Sequence, residues 1–300
     1  MGFMPLSLPM FDIEKIHKLP RNYRFADLND LWYFPNRWAL RILYPLPVSA
    51  NQITFLALAA GAVAAGFFLS DHAFSLAGGA AFLYAKLFLD NVDGNLARLR
   101  GEESRFGRFF DSFTDIAVTL MVYSAITWRL ARETSDPSMW LLGGLAMISG
   151  LIQCSYFVFY LVNYTSRAGS YKENRADETI TAEDRQAFGD RKISRGAYAL
   201  QWVHNRVYGW QDRAIAALDR FSKKLAGLDD AKISQDKWYS DRNFLSLSSP
   251  LCICTNTMAL VVFSLADRLD VCFLLIIFFG NAWLLSLQAW KVLRSRFSSA

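Results

Sequence analysis

Histidine and cysteine are too few and too scattered here to build an imidazole or thiolate centre. The 300-residue chain has three histidines and four cysteines. His17, His72 and His204 lie far apart, which argues against a catalytic histidine. Cys154, Cys252, Cys254 and Cys272 all sit in apolar runs, without CxxC or Cys/His zinc spacing. They are expected to be small buried apolar residues, with no disulfide framework. Met1–Met10 lacks the basic n-region of a secretory signal, so no signal peptide is expected.

Apolar sequence is abundant. Hydrophobic residues make up 53% and aromatics 15% of the chain, both high for a soluble domain. Six apolar segments run roughly over 53–69, 74–89, 109–130, 139–162, 247–265 and 271–290. Most approach the ~20 residues that cross a bilayer. The links 70–73, 131–138 and 267–270 are short, which makes neighbouring helices antiparallel. Lys and Arg concentrate in the N-terminal arm, the loop 99–107, the segment after Val162 and the tail Lys291–Arg296. The positive-inside bias then places both termini in the cytoplasm. The expected fold class is an all-α polytopic membrane protein of six transmembrane helices. Its expected divisions are a cytoplasmic or interfacial arm (1–50), helices one to four (51–162), a cytoplasmic helical insertion (163–246), and helices five and six with a basic tail (247–300). The net charge is +5 with a pI near 9.0. In a membrane protein this points to membrane lipid and phosphate ligands, and no nucleic-acid partner is expected.

The arm is basic through Lys15, Lys18, Arg21, Arg24, Arg37 and Arg41. Its piece PNRWALRILYPLP puts Trp38, Ile42 and Leu43 near one helical face, which suits either an interfacial helix or a helix packed on protein. In the insertion, the polar stretch Arg167–Arg195 reads as loosely ordered, with a helix start at Thr181 and Asp184. From Gly196 to Leu225 a stripe of Val203, Val207, Trp210, Ala214, Ala217, Phe221 and Leu225 predicts a helix. Arg206, Arg213 and Arg220 repeat beside that stripe. The same two readings apply, a helix on anionic lipid or one packed on the body. Acidic runs such as Asp229–Asp230 read as solvated surface.

Four aspartates stand where the second run ends and the third begins, in DNVDGNLARLRGEESRFGRFFDSFTD. On one helix, Asp90, Asp93, Gly94, Ala97 and Arg98 share an arc of about 140°. On the next, Gly107, Asp111 and Asp115 fall within about 80°. Antiparallel helices can therefore point the four acids at one another. Clustered carboxylates repel, and a divalent cation relieves this. All-oxygen ligation suits Mg²⁺ or Mn²⁺, and four acids suffice for two ions, the usual arrangement for displacement at phosphorus. Gly94, Ala97 and Gly107 leave the helix faces bare for a ligand, and Arg98 can fork onto a phosphate. Asn51, Gln52 and Thr54 either contact a nucleotide or belong to the start of the first helix, capped by Asn51 or Ser49.

The pattern D-x2-D-G-x2-A-R-x8-G-x3-D-x3-D resembles the signature of the CDP-alcohol phosphotransferase family, which includes the CDP-alcohol phosphatidyltransferases. Asp90, Asp93, Gly94, Ala97, Arg98, Gly107, Asp111 and Asp115 match every fixed position. At residue usages of roughly 5–8%, eight positions coincide by chance on the order of once in 10⁹ starts. The segment VSANQIT also looks like the family's approach to its first helix. The resemblance is close over about 35–162 and does not reach 163–246. It implies a homodimer with its active site facing the cytoplasm. It also implies attack of an alcohol acceptor on a CDP-linked donor with release of CMP. It implies Asp90, Asp93 and Asp111 as metal ligands, with Asp115 as the general base that also touches the second ion. Gly94, Ala97, Arg98 and Gly107 would line the CDP pocket. CDP-diacylglycerol is the favoured donor, and a CDP-linked head group is the alternative. The rival of another class is a divalent-cation transporter, which leaves Arg98 and the glycines unexplained.

Overall fold

In lipid, each backbone N–H and C=O must find its partner within the spanning segment, so long apolar runs become helices. The computed structural model is accordingly helical, with no strand among the described residues. These are 19–28, 36–167, 178–228 and 237–298, together with Ile16 and Asp30. Lys15, His17, Lys18, Asp229 and Asp230 lie outside them, as do residues 168–177 of the polar stretch.

The helices are α1 (Asn36–Leu43), α2 (Ala50–Leu69), α3 (Ser75–Arg100), α4 (Arg105–Thr134), α5 (Ser138–Arg167) and α6 (Ala182–Gly189). They continue with α7 (Arg195–Val207), α8 (Gly209–Ala226), α9 (Arg242–Ser248), α10 (Ile253–Leu265), α11 (Leu269–Leu274) and α12 (Asn281–Ser298). Among the described residues, five stretches are long and apolar enough to cross a membrane: Ala50–Leu69, Arg105–Thr134, Ser138–Arg167, Lys237–Leu265 and Leu269–Phe297. α3 has 26 residues. Its first half is the second apolar run, and the second half carries the acidic motif, so its charge sets it apart from the five.

Local chemistry fixes the ends that matter. Ser49 and Gln52 form a capping box at the start of α2: the Gln52 amide donates to Ser49 Oγ at 3.3 Å, and the Ser49 amide to Gln52 Oε1 at 2.9 Å. Gly101 ends α3 at φ +67°, a left-handed turn that glycine adopts without strain. Ser104 caps α4 by accepting from the Gly107 amide at 3.0 Å. The link between the two acid-bearing helices is therefore only Gly101–Ser104, and α3 and α4 must run antiparallel.

Small residues set the crossings. Gly61 of α2 abuts Val118 of α4, and Gly143 of α5 abuts Thr127, with no room for a side chain at either. Phe68, Leu83, Ile126 and Phe273 lie in the core between these helices. The last span is interrupted by a π-helical turn, Leu275–Gly280. There Gln153 Nε2 of α5 donates to the Ile276 carbonyl at 2.8 Å, supplying a partner where the regular ladder breaks.

The insertion packs onto the helices. Its 196–225 pattern forms two helices, α7 and α8, with a kink at Tyr208–Gly209. The backbone bonds from Tyr208 N to His204 O (2.8 Å) and from Asp212 N to Tyr208 O (3.0 Å) continue through the kink. α7 crosses α4: the ring of His204 lies 5.4 Å from that of Phe109, and Tyr208 Oη donates to the Ser112 carbonyl at 3.2 Å. α8 crosses α5, where Ser155 Oγ donates to Gln211 Oε1 at 2.7 Å. Asp219 is buried and accepts from Tyr160 Oη (2.9 Å), Trp238 Nε1 (2.8 Å) and Tyr239 Oη (2.6 Å). A buried carboxylate needs such partners, and these three fix α8 to the body.

Candidate active site

The acids converge largely as their spacing requires. Asp90 of α3 and Asp111 and Asp115 of α4 each offer an oxygen, and these oxygens lie within 4.8 Å of one another. Asp93 is buried one turn along α3, where one of its carboxylate oxygens accepts from Thr54 Oγ1 of α2. The structure thus gathers three of the four expected acids and engages the fourth with α2.

Lys86 was missed in the sequence. Its ammonium donates to Asp90 Oδ1 at 3.0 Å and also to Asp115 Oδ1. The lysine side chain is 7% exposed, so its charge offsets two of the acids in a region that water barely reaches. The signal was present. Lys86 is the sole charged residue of the run 74–89, and it stands four residues before Asp90, the spacing of neighbours on one helix face.

The other motif residues surround this cluster. Gly94, Ala97, Arg98 and Gly107 are half-buried, so their faces remain reachable. A side-chain carbon at Gly94 would meet only the Arg98 guanidinium, at 3.6 Å, whereas one at Gly107 would press on Ser104 Oγ and Asn51 Oδ1 at 3.1 and 3.2 Å. Gly107 therefore allows a close approach of α2 to α4. Arg98 donates from Nε to the Ile16 carbonyl at 3.2 Å and from Nη2 to Asn95 Oδ1. Arg100 is the anchor of the arm: its guanidinium reaches the carbonyls of Leu43, Tyr44, Leu46 and Val48 at 2.5–2.9 Å.

The insertion reaches the flank of the same site. Arg105 pairs with Asp184 (2.8 Å) and Gln201 (2.8 Å), and Arg108 pairs with Glu178 (2.6 Å). Burial, and then the charge of Arg108, push His204 down to about 4. Its ring is therefore neutral at pH 7 and packs against Phe109 and Tyr208. Burial, and then the neighbouring Asp115 carboxylate, raise the Tyr208 hydroxyl above its ordinary value, so it stays a protonated donor.

The donor set fits a hard divalent cation. It is all carboxylate, as Mg²⁺ and Mn²⁺ prefer, and Asp111 Oδ1 is buried with no hydrogen-bond partner, a costly arrangement that a bound cation would relieve. Negative charge, a cation-ready cluster and an open small-residue face together suit the handling of phosphate esters.

Residues 47–179 match the family model described as CDP-alcohol phosphatidyltransferase. The search of curated proteins gave no match. The matched segment, less than half of the chain, holds every fixed motif position along with Thr54 and Lys86, and supports placing that segment in the CDP-alcohol phosphatidyltransferase family.

Proposed function

We propose that the protein transfers a phosphoalcohol group, most readily phosphatidyl, from a CDP-linked donor to an alcohol hydroxyl in phospholipid synthesis. The observation that carries this reading is the convergence of Asp90, Asp111 and Asp115 inside the family-matched motif. In the proposed step the acceptor oxygen forms a bond to the donor phosphorus, and the phosphorus–oxygen bond to CMP breaks. Asp115 Oδ takes the hydroxyl proton, as a general base. Asp90, Asp93, Asp111 and Asp115 would hold two Mg²⁺ or Mn²⁺. Such ions, when bound, neutralise phosphate charge and stabilise the leaving group. Gly94, Ala97 and Gly107 let the nucleotide lie against the helix backbones, and Arg98 turns from Asn95 and Ile16 to a phosphate.

In this reading α3 is the sixth spanning helix, with both termini and the insertion on the cytoplasmic side. The positive-inside bias supports that orientation, as does the charged half of α3 beyond its apolar run. The assembly is a homodimer, as the family resemblance implies.

The donor class is tested by giving purified protein in nanodiscs CDP-diacylglycerol or CDP-linked head groups, each with Mg²⁺ and a panel of small alcohols or diacylglycerol. Mass spectrometry should find a new phosphatidyl-alcohol from CDP-diacylglycerol. A product only from the CDP-linked head group would assign the lipid to the acceptor side instead.

A further inference from the structure

The two-helix element of the insertion leaves much of its apolar stripe exposed, although Ile215 and Ala226 are buried in the core. A surface helix of a globular protein normally turns its apolar face to the core. Here the body-facing positions include Gln201, Gln211, Asp219 and Ser222, each no more than 2% exposed. Along α8 the apolar stripe lies about 100° around the helix, with Trp210 one residue before Gln211 and Phe221 one before Ser222. Its Trp210, Phe221 and Leu225 are 43%, 59% and 42% exposed. Beside it stand Arg206, Arg213 and Arg220, all exposed, and no carboxylate pairs with them among the described residues. The Arg206 guanidinium instead lies 5.1 Å over the exposed ring of Trp202.

Position says what covers this face. The kink is tied to Ser112 and, through Gln211, to Ser155, and both lie within stretches long and apolar enough to span. Ser112 is seven residues, about 10 Å, inside the start of α4, and Ser155 is twelve residues, about 18 Å, before the end of α5. The kink thus sits alongside two stretches long and apolar enough to span, near the start of α4 and toward the end of α5. α1 likewise exposes Trp38 and Ile42, beside the buried Leu40 that packs it on the body.

We infer that α7–α8 lies in the headgroup layer of the bilayer that holds the protein, with Trp210 and Phe221 in the acyl boundary and Arg206, Arg213 and Arg220 on the phosphates of anionic lipids. Apolar burial provides the non-specific part of such contacts, and basic residues near an anionic surface add the charge-dependent part. The inference does not depend on the reaction proposed above.

Tryptophan quenching by brominated lipid tests it. The protein is reconstituted in nanodiscs containing brominated phosphatidylglycerol or brominated phosphatidylcholine, beside W202F/W210F and R206Q/R213Q/R220Q variants. All five positions are exposed, and retained melting temperatures confirm folding. Removing the two tryptophans should remove a quenchable component. In the arginine variant, the excess quenching by the anionic lipid over the zwitterionic one should be lost. Equal quenching by both lipids in all three proteins would overturn the inference. So would Trp202 and Trp210 that answer only to aqueous acrylamide. Protection of both from lipid and acrylamide, lost on dilution to single protomers, would also overturn it by assigning the face to a second copy of the chain.

Discussion

Asp115→Asn should leave CDP bound and reduce CMP release by about 10²–10⁴-fold, the usual contribution of a positioned general base. Asn keeps the shape of the side chain and an oxygen that can accept from Lys86, yet it cannot take the acceptor's proton. Asp115 is the expected acid farthest along α4 from the Gly94–Arg98 face, whereas Asp90 and Asp111 complete the oxygen cluster with it. Turnover should therefore fall much more than nucleotide affinity. Calorimetry with CDP, set beside a steady-state assay, separates the two. Turnover near wild type in the variant would remove Asp115 from the role of base.

Lys86→Met should have the largest effect on stability, and that effect should depend on divalent cation. The native ammonium bridges Asp90 and Asp115 while almost fully buried. Methionine fills similar space without charge. Breaking a buried ionic contact by removing one partner typically costs about 3–5 kcal/mol. The loss should appear in EDTA and recede when Mg²⁺ is added, because a ligand bound only to the folded state stabilises it by about 2.7 kcal/mol at a hundredfold excess over Kd. The wild type should gain less from Mg²⁺ than the variant. Melting curves of both proteins with and without Mg²⁺ check this. Equal Mg²⁺ responses would show that Lys86 does not share the acids' charge balance with a cation.

The motif was legible because its information is periodic and local. Spacings of three and four along 90–98 and 107–115 dictate one face per helix, and Gly101 and Ser104 make the connection too short for any arrangement but an antiparallel pair. The apolar runs gave the helices, though α4 and α5 extend to thirty residues each. Hydropathy stops at the first charge, whereas a helix continues wherever its backbone bonds are met. Capping by Ser49 was also readable, since the capping box is a local pattern.

Long-range partners were not readable. Nothing near Asp93 in sequence announces Thr54, 39 residues away, and nothing near Asp219 announces Tyr160 or Trp238. The insertion carries the same lesson. Its apolar stripe was visible, and a helix did form there. Which face would meet the body depended on where Gln211 and Asp219 found buried partners, and hydrophobic periodicity does not encode that. Lys86 differs from these: its spacing to Asp90 was in plain view, and its significance depended on seeing Asp115 arrive from α4.

The most direct test of the reaction uses purified protein in sealed proteoliposomes containing CDP-diacylglycerol, a small-alcohol acceptor and a Mg²⁺-sensitive dye in the lumen. CMP release and luminal Mg²⁺ are followed together as Mg²⁺ is added outside. The acid cluster as a phosphotransfer site predicts CMP release that needs both Mg²⁺ and the acceptor, with no matching rise in luminal Mg²⁺. Mg²⁺ entry without CMP release would contradict it and make the same carboxylates an ion pathway.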